Sequence, residues 1–180
     1  MHRKGQVWIS AVIYIGLGVV AITILVTAGV PLINKMRDRN TFIQTKELIQ
    51  TIDRAITDIV SEGPGSRRHL DVVVRKGKLF FREFDRDTIL WKMQTRAIVQ
   101  EPNSEIQEGN VKLNFTAHPL LVDEYEAKII LDYFERKNIK LTFNGNIQGM
   151  SQPLEGKVSI TLTHNGIDTG NKILVDIIVD

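Results

Sequence analysis

No cysteine occurs in the chain, and that single absence removes a disulfide scaffold, thiolate zinc sites and cysteine catalysis, while leaving an extracellular location open. Excess charge of either sign is missing too. Lys and Arg number 23 against 21 Asp and Glu, a net +2, so composition gives no basis for the positive face of a nucleic-acid binder. Also absent are a P-loop, a G-x-S-x-G elbow, an H-E-x-x-H pair and a Rossmann glycine pattern. The histidines, His2, His69, His118 and His164, lie far apart without partners at ligand spacing and read as ordinary surface or strand residues. Asp123-Glu124 with Glu126 reads as a solvated acidic loop. Asn165–Gly170 reads as a hairpin turn, since it lacks the calcium-loop pattern and its terminal glutamate. The expectation is a protein that is not an enzyme, with no catalytic residues, metal, cofactor, small-molecule substrate or nucleic-acid partner.

What is present is unevenly spread. Between Gln6 and Asn34 there is no charged side chain, and Val7–Ile33 is rich in Val, Ile and Leu. As a helix at ~1.5 Å per residue this run reaches about 40 Å, more than the ~30 Å hydrocarbon core of a bilayer. It is also longer than the roughly 7–15-residue apolar region of a secretory signal. The lipid bilayer is therefore the first expected partner. Gly16 and Gly18 are small, and Thr23 and Thr27 lie one turn apart; these are candidate helix-packing residues, although such residues are common in any membrane helix. Pro31 is expected to kink or loosen the helix near its far end. Arg3 and Lys4 before the span nearly balance Lys35, Arg37 and Arg39 after it, so charge counting does not orient it.

Orientation comes from the junction Arg3-Lys4-Gly5-Gln6-Val7, where two cations and a glycine abut the apolar run without a loop. This junction resembles the class III signal of archaeal type IV pilins and archaellins, which a membrane-embedded prepilin-type peptidase cuts on the cytoplasmic side. The resemblance implies leader processing at Lys4, Gly5 and Gln6. Arg3 and Lys4 would hold the leader in the cytoplasm, Gly5 would lie in the protease cleft, and Gln6 would become the first mature residue. It further implies a single pass through the cell membrane, a cytoplasmic N-terminus, an extracytoplasmic C-terminal domain and a place in a pilus. The resemblance covers about the first third of the chain and departs from the family at one position. Many pilins carry a glutamate five residues into the mature chain, where this sequence has Ser10. A hydroxyl cannot neutralise the mature amine of a neighbouring subunit, and a buried unpaired charge is costly. Assembly into a major filament is thereby put in question; anchoring is not.

Beyond the span, Ile49, Ile52, Ile56 and Ile59 form the stripe of an amphipathic helix, which Ser61-Glu62-Gly63-Pro64-Gly65 stops. The period then changes to two. Val111, Leu113, Phe115 and Ala117 alternate with polar residues, as do Ile139–Phe143, Val158–Leu162 and Ile173–Val179. Thr88–Arg96 reads as a strand, Tyr125–Phe134 fits strand or helix with strand preferred, and Asp71–Arg75 and Lys78–Phe84 flank Lys76-Gly77 as an expected tight hairpin. The fold class is α+β: a long membrane helix continuing into an amphipathic helix, then an antiparallel β-rich head, either a sandwich or a helix-covered sheet. The expected divisions are a cleaved leader over 1–5, a transmembrane helix over 6–34, a stalk helix over 35–62 and an extracytoplasmic domain over 66–180. Asn114-Phe115-Thr116 fits the N-x-[ST] pattern and makes Asn114 a candidate glycosylation site. Two functional readings follow. One is a type IV pilin-like structural subunit, minor or anchored, beside other pilin-like subunits. The other is a single-pass anchored module whose head binds a surface-layer protein or a filament machine.

Overall fold

The computed structural model describes residues 3–81, 87–133, 138–146 and 152–179, with backbone alone at positions 3–7 and 9. Met1 and His2 therefore lie outside the described residues, as do Phe84 and Phe134. Among the described residues one helix, α1 (Arg3–Glu62), is followed by eight strands. The strands are β1 (Arg67–Phe81), β2 (Thr88–Thr95), β3 (Ser104–Glu108), β4 (Val111–Ala117), β5 (Tyr125–Asp132), β6 (Ile139–Phe143), β7 (Leu154–Ile167) and β8 (Ile173–Val179). The chain divides into two compact units, Met1–Arg37 and Asp38–Asp180.

In the first unit the apolar residues of α1 are exposed on every side, Val12, Leu17, Ile22, Leu25 and Leu32 each to 60% or more. Among the described residues this is the one helix long and apolar enough to cross a membrane. Pro31 does not end it. In the second unit the helix changes character. Phe42, Ile49, Ile52, Ala55, Ile56 and Ile59 are buried, on one face, in a core shared with the sheet. Gly63 (φ +98°) then takes the left-handed conformation that closes a helix, donating to the Ile59 carbonyl at 3.2 Å. The Ser66 hydroxyl also donates to that carbonyl, at 2.7 Å.

The head is one eight-stranded sheet in the order β3-β4-β5-β2-β1-β7-β8-β6. Its core side chains alternate along the strands: Ile89, Trp91 and Met93 on β2, Leu113 and Phe115 on β4, Ile129 and Leu131 on β5, and Ile160 and Leu162 on β7. One helix is too narrow to cover eight flat strands, so the sheet must curl around it. A hydrogen bond gives direct evidence. Asp87, immediately before β2, accepts from the Leu141 amide of β6 at 3.0 Å. Four strand spacings separate β2 from β6 in the order, which on a flat sheet is about 19 Å.

Two sequence expectations are corrected. The sheet is mixed rather than antiparallel, because β6 runs parallel to β8. Lys76-Gly77 is no hairpin: β1 runs through it, pairing with β7 from Arg67 to Val74 and with β2 from Lys78 to Phe81. The reason lies in the side chains. Val72, Val74, Leu79 and Phe81 are all buried, yet in a regular strand the odd and even positions would face opposite ways. An irregularity between Val74 and Leu79 returns them to one face, and Gly77 (φ +82°) makes it possible. A Cβ on Gly77 would lie 2.5 Å from the Lys92 carbonyl oxygen and 2.8 Å from Met93 Cβ. Gly156 (φ +79°) has open space instead. Gly77→Ala is therefore expected to cost about 2–4 kcal/mol in denaturant unfolding, and Gly156→Ala only about 1–2 kcal/mol. Equal losses would show that the close approach at Gly77 is of no consequence.

Candidate functional site

The residues singled out from sequence occupy three separate places. Lys4, Gly5 and Gln6 have helical backbone within α1, and their side chains lie outside the described residues. Gly16 and Gly18 each face open space: apart from the adjoining residues and the helix's own backbone, nothing lies within 4 Å of where a Cβ would stand. A neighbouring helix could approach the backbone closely there. Thr23 donates its hydroxyl to the Val19 carbonyl at 2.8 Å, and Thr27 to the Thr23 carbonyl at 2.7 Å. Both hydroxyls are thus satisfied within the helix, as an apolar medium requires. Ser10 is exposed on the same helix.

Asn114 sits in β4 on the face opposite Leu113 and Phe115, between Glu105 of β3 and Lys128 of β5. Its carbonyl Oδ1 accepts from the Thr116 hydroxyl at 2.7 Å, so the two polar residues of the triplet are joined. Of the acidic stretch, Asp123 is exposed, while Glu124 and Glu126, the latter within β5, are each paired with a cation. Glu124 accepts from Arg96 at 2.7 Å, and Glu126 lies 2.6 Å from Lys128. Asp168 closes the β7–β8 turn, accepting from the Gly170 amide at 2.8 Å and the Lys172 amide at 3.0 Å. The Lys172 amide is the main reason its carboxyl is held below the ordinary value, with Lys140 adding to the effect. Among the described residues no three His, Cys, Asp or Glu side chains gather closely enough to hold a metal ion.

The polar groups that do converge are structural joints between the second part of α1 and the sheet. Asp53 accepts from the Tyr133 hydroxyl at 2.8 Å and from the Asn110 side-chain amide at 2.9 Å. Burial pushes the Tyr133 phenol well above its usual range, and the nearby Asp53 charge pushes it further, so it stays a neutral donor. About four helical turns earlier on α1, Asp38 accepts from Lys76 at 2.6 Å and from the Thr95 hydroxyl at 2.7 Å. His164 is turned into the core on β7, 4% exposed, with neither ring nitrogen hydrogen-bonded.

No family model, curated protein or solved structure matches the chain. What this molecule does must therefore be argued from its own parts, namely an apolar helix and a β-rich head tied to the continuation of that helix. None of the joints was visible in the sequence, because Asp53, Asn110 and Tyr133 are far apart in the chain and stand in no recognisable spacing.

The Asp53 joint has a measurable weight. Asp53→Ala leaves the buried Tyr133 hydroxyl without its acceptor and is expected to cost about 1–3 kcal/mol in denaturant unfolding. Adding Tyr133→Phe to that variant should recover part of the loss, since it removes the orphaned group. Strict additivity of the two changes would show that the bond carries no stability.

Proposed function

We propose that this chain is a membrane-anchored, type IV pilin-like subunit that presents its β-rich head outside the cell. The observation that carries the reading is the change of character along one helix. From Val12 to Ile33 its large apolar residues are exposed all round, which suits lipid, and from Phe42 it is apolar on a single face, which seats in the head. In water, each large apolar side chain left exposed forgoes about 1.5–3 kcal/mol of burial, and the run from Val12 to Ile33 holds many of them. A bilayer removes that penalty.

The junction Lys4-Gly5-Gln6 supplies the orientation. Cut by a prepilin-type peptidase between Gly5 and Gln6, the helix would keep its N-terminus at the cytoplasmic face and carry the head to the other side. Asn114, on the polar face of β4, would then be exposed to the glycosylation machinery of that side.

Ser10 favours a minor or permanently anchored subunit over an abundant filament subunit. In a filament core the mature amine of Gln6 would require a counter-charge, and the sequence has no acid between Gln6 and Asn34. In the bilayer the amine lies at the head-group level and is solvated. The partners that fit are the peptidase, other pilin-like subunits or a surface-layer protein. An anchored module serving a filament machine is the second reading, and Ser10 supports it equally.

Intact-mass analysis of protein extracted from membranes that contain a prepilin-type peptidase is expected to give a chain beginning at Gln6. Protease added outside spheroplasts should remove the head and leave the span. A retained Gly5 would remove the main support for the pilin-like reading, and a head cut only after the membrane is opened would refute the orientation. Sheared surface filaments should contain little of the protein, and Ser10→Glu should raise that fraction.

A further inference from the structure

The β4–β5 connection carries an apolar tip that the fold leaves uncovered. Leu120 is 87% exposed, Leu121 50% and Val122 90%. The backbone beneath them is held firmly. The His118 amide donates to the Glu124 carbonyl at 2.8 Å, and the Leu120 and Leu121 amides both donate to His118 Nδ1 at 3.2 Å. Arg96 clamps the base through two bonds to Glu124 Oε1, at 2.7 and 3.1 Å. Ile98, 63% exposed, stands on the adjoining segment, because Thr95 and Tyr125 are cross-strand partners. A loop fixed in this way and tipped with large apolar residues is built to meet an apolar medium.

Its place in the head says which medium. Asp38, the first residue of the head, accepts a hydrogen bond from Thr95, one residue before Arg96. A second path gives the same position. The Asn110 side chain meets Asp53 beside the start of β4, and β4, Val111–Ala117, then runs back over about 20 Å. Going from Asp53 to Asp38 along the helix covers about 22 Å. The tip therefore lies at the Asp38 end. Asp38 follows Ile33, the last residue of the apolar run, by five residues, which reach about 17 Å even when fully extended. Exposed Arg39 at this end suits lipid phosphates, whereas exposed Asp123 opposes them and Arg96 is already paired with Glu124.

We infer that the Leu120-Leu121-Val122 tip, with Ile98, inserts into the interfacial layer of the same bilayer that α1 crosses, giving the head a second foothold on the membrane. Such contacts reach about 5–10 Å into the head-group and acyl boundary. This rests on the anchored reading above, and the test separates the two.

Because the chain has no cysteine, single cysteines report cleanly. The full chain, reconstituted in phosphatidylcholine vesicles, would carry an environment-sensitive fluorophore at Val122→Cys, at Leu17→Cys in the apolar helix, or at Asn165→Cys. The last is an exposed position next to His164, whose carbonyl bonds Gly65 at the opposite end of the head. The expected result is quenching of the Leu17 probe by deep spin-labelled lipid and of the Val122 probe by shallow spin-labelled lipid. Aqueous iodide should quench the Val122 probe severalfold less than the Asn165 probe. Combining Leu120→Asp and Leu121→Asp should restore iodide access at Val122 without altering Leu17. A lipid-quenched Leu17 with Val122 as open to iodide as Asn165 would overturn the inference and leave the anchor standing. Protection of Val122 that rises with protein density but shows no lipid quenching would assign the tip to a second copy, and would also overturn it. An unquenched Leu17 would refute the anchor itself.

Discussion

The head depends on the burial of one face of α1. Ile49, Ile52, Ile56 and Ile59 are each fully buried, and among the described residues the strands that bury them form a single sheet. An eight-stranded sheet needs an apolar partner for its inner face, and the isoleucine stripe supplies the centre of it. The curl brings β6 to Asp87, and it follows from that need: several strands can share one narrow helix only by wrapping around it. Four isoleucines at about 1.5–3 kcal/mol each outweigh any single polar contact in the head.

Carboxylates then fix where the strands meet the helix. Asp38 ties the β1 irregularity and the end of β2 to the start of the head, and Asp53 ties down the β3–β4 turn and the end of β5. Asp87 serves the sheet itself, accepting from Leu141 through its side chain and from the Tyr133 amide through its carbonyl. These acids are occupied in positioning. The exposed apolar residues at Leu120–Val122 take no part in these joints.

Much of this architecture was legible in the sequence because it rests on local periodicity. The charge-free run, the isoleucine stripe, the Gly63-Pro64 stop and the alternation in β2, β4, β6, β7 and β8 all follow from spacing alone, whereas spacing over Tyr125–Phe134 leaves β5 open between strand and helix. The features that escaped depend on distant partners. β3 reads Ser-Glu-Ile-Gln-Glu, with one apolar residue and no alternation to detect, and it forms because Gly109 (φ +62°) and Asn110 turn it onto β4. Lys76-Gly77 has the composition of a hairpin, but the inward face shared by Val74 and Leu79 required a bulge there. The parallel β6–β8 pair could not be read from periodicity, since alternation is blind to strand direction. The exposed tip is illegible for the same reason, since Leu120, Leu121 and Val122 have the composition of core residues and only the fold leaves them outside.

If the helix provides the core, the head must stand or fall with it, whatever becomes of the membrane segment. The most direct measurement compares two fragments by far-ultraviolet circular dichroism and urea unfolding, one beginning at Arg37 and one beginning at Pro64. The account predicts a soluble, strand-rich, cooperatively unfolding domain from the first. The second, which retains every strand but lacks the isoleucine stripe, should show no cooperative transition. A fragment from Pro64 that unfolds as cooperatively, and at the same urea midpoint, as the one from Arg37 would contradict it.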